Sequence, residues 1–150
     1  MQNRKRNRGR LGSALLEFGL VFPFIFPLFI GTFQFGYAFF LYNRLHGAVR
    51  AGARYASLET YASGTSTPQA GFSSAVKNLV VYGDPAGGTN PVVTGLTTAN
   101  VELTVLPPGN GPPKSMKVRL INYRLDACFK VFQLNTPVAV FGYVGRYSPP

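Results

Sequence analysis

The chain has 150 residues, with 15 Lys+Arg against 5 Asp+Glu and a formal net charge of +10. One cysteine, Cys128, excludes an intrachain disulfide, and one histidine, His46, with few acids leaves almost no parts for a metal cluster or a Ser-His-Asp site. The charge is concentrated at the start: Arg4, Lys5, Arg6, Arg8 and Arg10 precede residue 12.

Behind this basic block, Phe18 to Leu41 carries no charged side chain. As a helix it would be roughly 36 Å long, enough to cross a hydrocarbon core of about 30 Å with some tilt. A secretory signal peptide has a shorter apolar region, of about 7–15 residues. A buried core helix would need neighbours able to cover an all-round apolar rod, and the rest of the chain offers none. The basic block sets the N-terminus on the cytoplasmic side and everything from about Asn43 outside. Phosphate contacts to nucleic acid could also use these cations, but their place directly before a span is explained by topology. Phe33, Phe35, Tyr37, Phe39, Phe40 and Tyr42 crowd the far end, where a membrane–water interface favours aromatics. Pro23 and Pro27 should kink the helix or loosen its early ladder.

The helical pattern continues through "NRLHGAVRAGARYASLE", so one helix is expected from about Ser13 to Leu58. Ala48, Gly52 and Ala56 form a small-residue stripe, suited to close packing on other subunits or on the chain's own globular part. Arg50 and Arg54 share another face, and His46 reads as a solvent-facing residue.

Beyond "ASGTSTP", Thr67 could cap a second helix with Pro68 at its first position. Phe72, Val76, Leu79 and Val80 give it an apolar face, and Gly83 a stop. "NVELTVL" and "SMKVRL" alternate like strands, joined by the hairpin loop "PPGNGPPK". The phase flips at Ile121, Tyr123 and Leu125, which suggests a bulge or bend. A last strand falls within Val138–Tyr147. Leu125–Cys128 looks like a lipoprotein box but lies far from any signal, and Cys128 reads as a small buried side chain. The fold class is therefore α+β: a long membrane helix, a short second helix and a small antiparallel sheet of about three strands. Residues 1–12 form a basic leader, 13–58 the extended helix and 59–150 an extracytoplasmic domain.

Glu17 stands just before the uncharged span. A capping box with Ser13 would need the acid one residue earlier. The helix dipole alone, worth roughly 0.3–1 kcal/mol near an N-terminus, could help to hold a carboxylate there.

The stretch "GSALLEF", the basic residues before it and the apolar helix after it resemble the type IV prepilin signature. Glu17-Phe18, Pro23, Phe35-Gly36, Ala48, Arg50, Ala53, Arg54 and Ala56 narrow the resemblance to TadE-like pseudopilins, over roughly Gly9–Ser57. Leu16, Gly19 and Pro27 depart from the usual pattern, and none is a cleavage residue. The resemblance implies a pilin-like minor component of a tight-adherence (Flp-type) pilus system in the bacterial inner membrane, with no catalytic activity or cofactor. It implies cleavage between Gly12 and Ser13 by a prepilin peptidase, and pairing of Glu17 with the freed amine of another pilin or pseudopilin subunit at an inner-membrane assembly platform. The other reading is an uncleaved single-pass protein presenting a small extracytoplasmic binding domain. Neither reading involves nucleic acid or a small-molecule substrate.

Overall fold

A computed structural model describes residues 6–127, 130–132 and 136–149. Its axis is α1, Arg6–Leu58, a 53-residue helix that passes through Pro23 and Pro27 without breaking. At 1.5 Å per residue it is roughly 80 Å long. The helix starts before the expected Ser13. Arg and Leu are good helix formers, and no proline interrupts the leader from Arg6 onward.

The two halves of α1 live in different surroundings. From Gly12 to Tyr37 no residue is buried. From Ala38 on, Ala38, Leu41, Leu45, Val49, Ala53 and Ala56 are buried at spacings of three or four, one stripe along the helix. Fully burying a Leu or Val contributes about 1.5–3 kcal/mol. About five turns of such contacts far outweigh any surface ion pair, worth about 0–1 kcal/mol, in holding the rest of the chain to α1.

The second helix, α2, spans Ala70–Tyr82. The expected cap is displaced: Gln69 holds the N-cap position and makes no side-chain capping bond. Thr67 instead donates its N–H to Thr65 Oγ1 at 3.3 Å, inside the preceding loop. Gly83 ends the helix as expected, at φ +79°, donating its N–H to Leu79. Val76, Val80 and Val81 are buried, whereas Phe72 and Leu79 are only half-buried.

The small-residue stripe now has an occupant. Gly52 faces α2, where an added Cβ would overlap Val80 Cγ2 and approach the Val76 carbonyl to 3.6 Å. Of the two uses open to that stripe, it serves the chain's own second helix.

After a 3-10 turn at Thr98–Asn100 come β1 (Val101–Leu106) and β2 (Ser115–Leu120). Then follow a short ribbon of β3 (Leu125–Ala127) and β4 (Lys130–Phe132), and finally β5 (Val138–Gly142). The main sheet is antiparallel in the order β1-β2-β5. Val101, Val105, Met116, Val118, Leu120 and Ala139 face the two helices, and Glu102 and Arg119 pair across the outer face at 2.8 Å. The phase flip after Leu120 is the end of β2: Asn122 has φ +52°, which turns the chain out of the sheet. The β3–β4 ribbon was not expected, because its segment read as a continuation of β2. Cys128 lies outside the described residues.

Candidate assembly interface

Three features of α1 bear on what it meets. The first is bare apolar surface. Leu15, Leu16, Phe18, Leu20, Phe24, Leu28, Phe29 and Phe33 are each at least 64% exposed. The helix is long and apolar enough to cross a membrane, and its most apolar window is entirely outside the core. Phe18, Phe22 and Phe26 stack along one side at centroid distances of 5.4 and 4.9 Å. The expected span shortens at its far end, because Ala38 and Leu41 are buried against the domain. Phe18–Tyr37 remains, roughly 30 Å of helix, which equals the hydrocarbon thickness.

The second feature is Glu17. It is exposed on the side of the helix, one turn beyond Ser13. It has no ion-pair or hydrogen-bond partner among the described residues. Because α1 already runs from Arg6, Glu17 sits about three turns inside the helix. The dipole effect fades within the first turn. The dipole therefore cannot account for Glu17 in the uncut chain. Gly12 and Ser13 are themselves helical, with open space around Gly12. Arg6, Arg8 and Arg10 lie on the same helix ahead of them; Arg4 and Lys5 lie outside the described residues.

The third feature is the junction with the domain. Phe35 and Gly36 are exposed in the turn before Ala38. Arg50 and Arg54 point away from the core and are exposed. Arg44 lies over the Phe40 ring at 5.8 Å, a cation drawn back onto an aromatic just beyond the span. His46 is half-buried rather than solvent-facing, with its ring 6.0 Å from that of Tyr42. Among the described residues no cluster of His, Cys, Asp or Glu could hold a metal ion.

The far end of α1 is closed by the C-terminal segment. The Ser57 carbonyl accepts N–H groups from Val144 at 3.0 Å and Gly145 at 2.9 Å. The Tyr143 hydroxyl accepts from Tyr61 N–H at 2.9 Å and lies within donating distance of the Glu59 and Arg146 carbonyls, at 2.9 and 2.8 Å. Burial raises the Tyr143 pKa, against the lowering effect of the Tyr61 N–H, and the nearby Glu59 raises it further. Burial likewise raises that of Tyr61. Sequence patterning missed this closure, since no periodicity links residues so far apart.

A model of the family described as TadE-like protein matches residues 12–54, from Gly12 to the middle of the buried stripe. No curated protein and no solved structure matches the chain significantly.

Proposed function

We propose, from the premise that residues 12–54 are a TadE-like segment, that this protein is a pseudopilin of a tight-adherence, Flp-type pilus system. The TadE-like family is a structural, pilus-associated one. The observation that carries the reading is Glu17, unpaired among the described residues, at the head of a bare apolar stretch. A carboxylate at membrane depth costs about 2.5–3.5 kcal/mol at the centre of a bilayer and less toward its edge. It is stable there when a partner cation is supplied.

Cleavage between Gly12 and Ser13 would supply two things at once. It would leave an ammonium on Ser13. It would also make Ser13 the new helix start, bringing Glu17 to within about one turn of the positive end of the dipole. The leader takes five cations with it, Arg4, Lys5, Arg6, Arg8 and Arg10, half of the +10. The remaining helix then keeps no basic side chain at that end, only the Ser13 ammonium. It becomes an apolar rod whose one charged side chain, Glu17, seeks the amine of a neighbour. Glu17 thus sets axial register between helices that could otherwise slide. The extracytoplasmic domain, about residues 59–150, rides on the half of α1 that the buried stripe grips. Partners on this reading are other pilin subunits, a prepilin peptidase and an inner-membrane assembly platform.

N-terminal sequencing of protein from membranes with an active prepilin peptidase is the test. The expected mature terminus is Ser13. Glu17→Gln should still be cleaved and inserted, yet should lose co-purification with pilin subunits. Full-length protein alone, or full assembly by Glu17→Gln, would overturn the reading in favour of an uncleaved anchor for a binding domain.

A further inference from the structure

Where the bare half of α1 meets the domain, a cavity of about 560 Å³ opens beside Tyr37 and Leu41. That volume lies within the range of about 300–1,000 Å³ typical of small-ligand sites. Tyr37 is also the last residue of the exposed rod, so the cavity lies at the level where the span ends. Its lining is divided. Tyr37, Leu41 and Val93 supply apolar surface, while Asn122 and Arg124 supply polar groups. Among the described residues Arg124 is the one formal charge in the lining. Both residues are exposed.

The walls are fixed by internal bonds. Tyr123 donates its hydroxyl to the Thr94 carbonyl at 3.0 Å, tying the two loops together. Asn100 donates from Nδ2 to the carbonyls of Ile121 and Asn122 at 3.2 and 3.3 Å. Its Oδ1 accepts from Thr97 N–H and hydroxyl at 3.1 and 2.7 Å. A ligand would therefore meet a groove already shaped, which lowers the ordering cost of binding.

We propose that this groove seats the headgroup of an anionic glycerophospholipid from the leaflet surrounding the end of the span. Arg124 pairs with the phosphate by charge-assisted hydrogen bonds. Tyr37 and Leu41 pack on the glycerol and first acyl carbons, at the depth where amphipathic rings reside. The choice of a lipid over a soluble anion follows from Tyr37 belonging to both the span and the groove. The proposal rests on α1 crossing a membrane, and not on cleavage or filament assembly.

Native mass spectrometry of the full chain in detergent, incubated with dioleoylphosphatidylglycerol or dioleoylphosphatidylcholine, tests it. Wild type is expected to retain phosphatidylglycerol preferentially. Arg124→Gln should lose that preference by roughly five-fold, the weight of one cation at an anionic surface. Arg124→Lys should keep most of it, and so should Lys114→Gln, an exposed cation in the β1–β2 loop. Far-UV circular dichroism identifies any variant that has not folded. Equal retention of the two lipids, unchanged preference in folded Arg124→Gln, or an equal loss in Lys114→Gln would overturn the proposal. Displacement of the lipid by inorganic phosphate would assign the groove to a soluble anion and overturn it too. Because uncut protein serves as well as cut, a negative result here is separate from failure of the pseudopilin reading.

Discussion

Gly52 and Val80 meet with no room between them: a Cβ on Gly52 would overlap the Val80 side chain. Val80 is fully buried and stiff at χ1, so it cannot swing aside. Gly52→Ala should therefore cost about 1–3 kcal/mol in overpacking. Removing a helical glycine returns about 1 kcal/mol, which leaves a net destabilisation of about 1 kcal/mol. Gly47→Ala, with open space around it, should show only the gain. Thermal melts of the two variants should shift in opposite directions.

Tyr143 should make the domain sensitive to alkali. Its folded pKa is raised above the ordinary tyrosine value, first by burial, and that of Tyr61 is raised likewise. The neutral form is thus favoured by folding. The stability this represents is fully present below a pH of about 10 and is lost as pH rises through the folded pKa. An ionised Tyr143 would also lose its donor while facing two carbonyl oxygens. Tyr143→Phe should cost about 1 kcal/mol at neutral pH and flatten the alkaline loss. Melting temperature measured from pH 8 to 11 checks both; an equally steep fall in the variant would contradict the account.

Gly145 should tolerate substitution worst of the glycines among the described residues. A Cβ there would strike the Glu59 carbonyl and come within 2.8 Å of that of Leu58. These are backbone atoms, which cannot rotate away. Gly145→Ala should release residues 143–148 from the end of α1. Limited proteolysis should then cut the C-terminal segment in the variant at protease levels that spare the wild type.

The membrane boundary should fall at Tyr37–Ala38. Single cysteines introduced at exposed positions, in a Cys128→Ser background, should report it. Phe24→Cys and Phe29→Cys should resist a charged thiol reagent in intact membranes, whereas Arg50→Cys and Arg54→Cys should react from the extracytoplasmic side. Labelling of all four alike would show that α1 does not span.

Much of this architecture was legible in the sequence, because it rests on local periodicity. The apolar span, the strands at Val101–Leu106 and Ser115–Leu120 and the stop at Gly83 all follow from spacing and residue type. The start of α2 was misplaced by two residues: Gln69 holds the N-cap without a side-chain bond, so no capping side chain marks it. The β3–β4 ribbon was hidden because the turn at Asn122 requires a left-handed backbone that no hydrophobic pattern announces. The role of Gly52 stayed open for a different reason. A small residue permits close approach, but the residue that approaches is chosen by tertiary structure. The same limit applies to the groove beside Tyr37, whose walls come from three separate segments. Gly12, Ser13 and Glu17 were legible as a motif, and the helix start at Arg6 adds what the motif lacked: a reason why the dipole does not suffice for the carboxylate.

The seal on the end of α1 has a consequence for how the protein is made. The Ser57 carbonyl is made long before its partners, the N–H groups of Val144 and Gly145. Until residues 144 and 145 are made, the helix is therefore finished in sequence but open at its tip. A ribosome stalled before Gly145, or a chain clipped there, would leave α1 able to insert yet unable to lock its domain shut. The last turn of α1 is thus satisfied only by residues made some ninety positions after it.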